Sequence, residues 1–156
     1  MNSHLVIQSQ YLAALGMLKQ VIVNCPEPLW DAPGNQDKFW RKSYHALFYA
    51  HLYLQPAEKD FTPWEKHHDP DGDVPFTKDQ VLEYLSFVET QVADCVPRTD
   101  LDAPSGFHWL AFDKLELQFY NIRHIQQHTG ELYERLDAHE NIELGWVSSG
   151  KLKEQE

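Results

Sequence analysis

The sequence predicts an all-α fold. Four segments carry apolar residues at spacings of three, four or seven, the period of a helix face. No segment alternates apolar and polar residues for long, as a half-buried strand would. The 156 residues suit one domain with one core. Four amphipathic or buried helices of this length suggest a four-helix bundle. The domain is read as residues 1–150, with 151–156 as a frayed tail.

The first helix is expected over about residues 6–24, where Leu12, Leu15, Leu18, Val21 and Ile22 recur at helical spacing. Pro26 and Pro28 stop it. The second runs from about Gln36 to Leu54 and is nearly apolar all round past Arg41 and Lys42, as a buried helix is. The third begins at Thr77, because Thr77-Lys78-Asp79-Gln80 matches a capping box, and it ends before Pro97. The fourth is the longest, about Phe112 to His139, with Leu115, Ile122, Ile125, Thr129, Leu132 and Leu136 as its stripe. Beyond it, Gly145-Trp146-Val147 is expected to fold back.

The connection from Gln55 to Phe76 holds four prolines and the run HHDPDGDVP. A loop that long is unusual and often functional. It can cross the length of a bundle, so that the second and third helices run parallel.

Apolar residues make up 42% of the chain and aromatics 13%, enough for a packed core. The 24 acidic and 13 basic residues leave a net charge of -11, which repels phosphate backbones and anionic membrane surfaces. Neither nucleic acid nor membrane is expected as a partner. Cys25 and Cys95 fit no metal or redox spacing and are read as reduced thiols of a cytoplasmic protein. No signal peptide is read at the N-terminus, and no run approaches the ~18 apolar residues of a spanning helix.

His124 and His128 are four apart on the fourth helix. That spacing puts their rings on one face, about 6 Å apart at Cβ, where both can reach one metal. The competing reading is a solvated stripe of Asn121, His124, His128, Glu131 and Arg135. His45 sits in the buried second helix, where each ring nitrogen needs a partner. A backbone carbonyl or a tyrosine could provide one, and so could a metal. Three neutral histidines from two helices make an N3 site with an open position, the catalytic pattern for zinc.

Several motifs resemble one family. FWRKSYHALFYAHLYL resembles a DinB-like second helix, FTPWEKHHDPDGDVPFTKDQVLEYL its connection and third helix, and YNIRHIQQHTGEL its Arg-His-x-x-x-His helix. GWVSSGK also fits, so the resemblance to the DinB/YfiT-like superfamily spans most of residues 36–150. It implies a homodimeric four-helix bundle with His45, His124 and His128 as metal ligands. It also implies a metal-dependent enzyme, either a transferase or isomerase using a low-molecular-weight thiol, or a hydrolase. Two positions depart from the pattern. His51 stands where an aspartate is expected and is read as a local variant or a wall of the site. Gly130-Glu131 replaces a glutamine-type residue.

Other patterns are weaker. Asp69, Asp71 and Asp73 lack the glycine and glutamate positions of a calcium loop and read as a turn. Paired Glu-x-x-His motifs for di-iron and a His-Glu-x-x-His motif are absent. His67 and His68 could reach a metal if the loop folds over the site, but they are read as exposed loop residues. Tyr49, one turn from His45, is the aromatic residue expected to face the site.

Imidazole ligands suit zinc, nickel, copper and iron, with zinc or nickel put first. The ion would lower the pKa of a water or a thiol and so produce the nucleophile. Glu131, one turn from His128, is the candidate proton acceptor or supporting carboxylate. The alternative is a non-catalytic metal- or ligand-binding stress protein whose fourth position is closed.

Overall fold

The computed structural model describes residues 2–34 and 37–151. All regular structure in it is helical, with no strand among the described residues. Helix α1 spans Ser3–Asn24, α2 Glu27–Trp30, α3 Phe39–Tyr53, α4 Lys78–Cys95 and α5 Lys114–Glu140. Two 3-10 turns, Glu58–Asp60 and Val96–Arg98, follow α3 and α4.

Local chemistry sets the helix ends. Asn2 caps α1 through Oδ1 and the Leu5 N–H, so α1 starts earlier than its apolar pattern indicates. Pro28 lies in the first turn of the one-turn helix α2, so the prolines that stop α1 also start a new turn, which the sequence reading did not foresee. The capping box forms as expected: the Thr77 side chain accepts from Gln80 N–H, and the Gln80 side chain accepts from Thr77 N–H. Asp113 caps α5 at 2.8 Å from the Glu116 nitrogen, which moves the start from Phe112 to Lys114. Asn141 ends it with φ 51°, the left-handed conformation that asparagine tolerates. The expected start of the second helix at Gln36 and most of the frayed tail lie outside the described residues; α3 begins at Phe39.

The long helices pack α3 on α5, α5 on α1, α1 on α4 and α4 on α3. Tyr11, Leu15 and Leu18 of α1 meet Trp40, Tyr44 and Leu47 of α3, with Tyr84, Leu85 and Val88 of α4 in one core. Contacts between α3 and α4 follow the same order along both helices: Trp40 with Phe76, Tyr44 with Tyr84, His51 with Phe87, Gln55 with Gln91. The two therefore run in the same direction.

The buried face of α5 differs from the expected stripe at its start. Leu115 is 38% exposed; Leu117 is buried instead, beside a row of Lys114, Gln118, Asn121, Ile125, Thr129, Leu132 and Leu136. The first three members of that row are polar, and each makes at least one hydrogen bond. Lys114 donates to the carbonyls of Gln55 and Pro56, Gln118 accepts from Tyr11, and Asn121 donates to the Ala50 carbonyl. Buried polar groups with partners do not register in an apolar periodicity.

After α5 the chain turns back along α1. Gln20 exchanges hydrogen bonds with Gly145, and Gly150 N–H donates to the Ser9 carbonyl at 3.0 Å. A Cβ on Gly150 would lie 2.2 Å from the Cβ of Leu12, so only glycine allows that approach. The fold-back is real, although Trp146 itself is 77% exposed. By length and mean hydropathy (1.2), α1 could cross a membrane, which the count of uninterrupted apolar residues overlooked; half of that window is buried in the core.

Leu47→Ala should destabilise the protein by about 2–5 kcal/mol, because Leu47 is fully buried where α3 meets its neighbours. Urea unfolding followed by circular dichroism measures it.

Candidate metal centre

The four-residue spacing on α5 sets His124 and His128 on the face turned to α3, and His45 meets them from α3. All three are half-buried, and one ring nitrogen of each lies within 4.8 Å of the others. Ring centroids are 4.8 Å apart for His45 and His128, 5.3 Å for His45 and His124, and 4.5 Å for His124 and His128. The three expected ligands therefore converge. Among the described residues no other histidine, cysteine or carboxylate joins the group.

The hydrogen bonds constrain the proton positions. The Nδ1 of His128 lies 3.2 Å from Glu131 Oε2, so it donates and its Nε2 keeps the lone pair. That Nε2 is 3.0 Å from the Nε2 of His124. If the His124 nitrogen donates there, its Nδ1 holds the lone pair, and that atom is buried with no partner. Among the described residues one other buried side-chain atom lacks a partner, Asn121 Oδ1, and each such atom is costly. With the His124 proton on Nδ1 instead, the two Nε2 lone pairs face one another, and a cation between the rings would accept both. The donor set, three imidazoles without thiolate, suits zinc, nickel, copper or iron.

The electrostatics disfavour the charged forms of His45 and His124. Burial lowers the His45 pKa, and the charge of His128 adds to this. Burial first, then His128 and His45, pushes His124 down to about 4. For Glu131, burial opposes ionisation, but hydrogen bonds from Lys42 and His128 outweigh it and hold the carboxyl at about 2. Oε2 of Glu131 takes both Lys42 Nζ and His128 Nδ1. A carboxylate held that far down is a weak base. Glu131 is therefore better suited to orienting His128 than to accepting a proton.

Tyr49 lies where expected, its ring 4.8 Å from His45 and 5.6 Å from His124. His51 does not wall the site. Six residues on from His45, it points about 120° away, toward α4. It is buried against Phe61 and Phe87, and its Nδ1 is 3.0 Å from the Tyr84 hydroxyl. Burial pushes its pKa down to about 4.

A cleft of about 320 Å³ opens beside His45, lined by Arg41, Tyr44, Phe48, Tyr49 and His67 among others. A larger hollow of about 550 Å³, toward the C-terminal ends of α3 and α4, contains no histidine. His67 and His68, read from sequence as exposed, are half-buried. The Tyr44 hydroxyl meets His67 Nδ1, and His68 stacks on Phe76 at 3.7 Å. The signal was present in the aromatic residues on both sides of the loop, but their pairing is tertiary.

No protein-family model, curated protein or solved structure matches this chain.

Glu131→Gln should weaken zinc binding about 10–100-fold, the usual cost of losing a carboxylate behind a metal-bound histidine. Competition with a chromophoric chelator measures it. His51 and His124 have depressed pKa values, so between pH 6.5 and about 4 the unfolded chain binds protons that the folded chain refuses. Stability is therefore present above pH 6.5 and is lost as pH falls toward 4. Metal-free protein should melt lower at pH 5 than at pH 7, and the drop should shrink in His124→Gln.

Proposed function

We propose that this chain is a metal-dependent enzyme of the DinB-like type. In this reading His45, His124 and His128 bind a divalent ion, zinc or nickel, and the nucleophile is water or a low-molecular-weight thiol. The observation that carries it is the convergence of three imidazoles from two helices beside a cleft. The fold proposed with it is a four-helix bundle in which the segment between α3 and α4 crosses the bundle's length. The matching order of contacts along α3 and α4 supports that crossover.

A divalent ion bound there supplies Lewis acidity, which lowers the pKa of a nucleophile beside it. The protein's own groups do the rest. Lys42 holds the Glu131 carboxylate, and Glu131 holds His128 with its Nε2 lone pair toward the other rings. Tyr44, Phe48 and Tyr49 give the cleft an aromatic wall that keeps bulk water from one side. Three side-chain donors with no fourth among the described residues favour an open position, and hence a catalyst, over a closed binding protein.

Elemental analysis of purified protein tests the reading. The wild type should carry about one divalent ion per chain, and His45→Ala and His128→Ala should carry almost none. Equal metal content in all three overturns it.

A further inference from the structure

We infer that His67, delivered by the connection between α3 and α4, is the proton-transfer residue of the cleft beside the histidine triad. The inference rests on the metal reading above and adds the one group that reading lacks, a base. Glu131 is occupied by Lys42 and His128. The cleft's other ionisable groups are the ligand His45 and Asp37, Arg41, Tyr44, Tyr49 and Asp71. Arg41 donates to the Pro70 carbonyl and lies 3.6 Å from Asp37 Oδ1, while Asp71 is exposed at the rim. Apart from the ligand His45, His67 is the one imidazole that lines the cleft.

Its geometry suits the task. Its ring lies against Tyr44 and Phe48, with centroids at 5.8 and 5.5 Å. Nδ1 is bonded to the Tyr44 hydroxyl, and Nε2 has no hydrogen-bond partner among the described residues. A hydroxyl can donate or accept, so Tyr44 serves the ring in both proton states. With Nδ1–H donated to Tyr44, Nε2 carries the lone pair. Burial, then the neighbouring charge of His68, lowers the His67 pKa, while Asp69 opposes the shift, so the neutral base prevails near pH 7. In an ester hydrolysis the O–H bond of water breaks as its oxygen bonds the acyl carbon. The proton passes to Nε2, the alkoxide or phenolate leaves, and the imidazolium returns its proton to solvent. A thiol would be handled alike, with the S–H bond breaking.

The test uses zinc-loaded full-length protein, p-nitrophenyl acetate as substrate, and His67→Ala and His67→Gln. Glutamine can keep a hydrogen bond to Tyr44 but cannot carry the proton. Both variants should keep wild-type zinc content and lose about a hundredfold in rate, and free imidazole should restore part of the rate to His67→Ala. Acetate added to the zinc-loaded wild type should shift the His67 ring resonances in histidine-detected 15N NMR. Four outcomes overturn the role of His67: His67→Gln at wild-type rate, no imidazole rescue, unmoved His67 resonances, or a zinc-loaded wild type no faster than free zinc. Each leaves the metal reading standing, whereas a wild type that binds no zinc overturns that reading itself.

Discussion

The arrangement depends on the face between α3 and α5, where polar groups must be paired if they are to be buried. Lys42 meets Glu131, Asn121 meets the Ala50 carbonyl, and Lys114 meets the carbonyls of Gln55 and Pro56. A slip of one turn, about 5.4 Å, would break all these pairs together. Each group left unpaired would cost about 1–3 kcal/mol, more for the charged ones. These pairs fix the register, and the register places His45 opposite His124 and His128. The remaining apolar contacts of α3 and α5 tolerate more than one alignment, because hydrophobic burial has no direction.

The long connection owes its order to side chains rather than to regular structure. Trp64 stacks on Tyr84 at 4.8 Å, Tyr44 on Phe76 at 4.1 Å, and Lys66 pairs with Glu83. Such contacts spread along α3 and α4 hold a segment that would otherwise lose much to conformational entropy. They also bring Pro70, Asp71 and His67 to the cleft beside the triad. The same aromatic side chains thus serve the core on one side and the cleft on the other.

The charge distribution reinforces this division. The chain's net charge is -11, yet the triad lies next to a neutralised pair, Lys42 and Glu131. A strongly negative surface raises the local concentration of divalent cations without itself supplying ligands. The three half-buried imidazoles then set the chemistry that a captured ion would meet.

Helix existence was legible in the sequence, because apolar period, capping box and prolines act over a few residues. Thr77 and Gln80 formed the expected box, and His124 and His128 share a face because four residues make about one turn. Helix starts at Asn2 and Asp113 were missed because a cap outranks the apolar pattern at a boundary. The role of His51 turned on a partner helix that its own segment does not reveal, and so did the burial of Lys114, Gln118 and Asn121. The sequence alone determined the helices, the charge and which residue types could ligate a metal, since these follow from local spacing and composition. Only the tertiary structure decided that His45 meets the α5 pair, that Glu131 is held by Lys42 and that His67 reaches the cleft. Each of those contacts joins residues at least 23 positions apart in the chain, where no local periodicity operates.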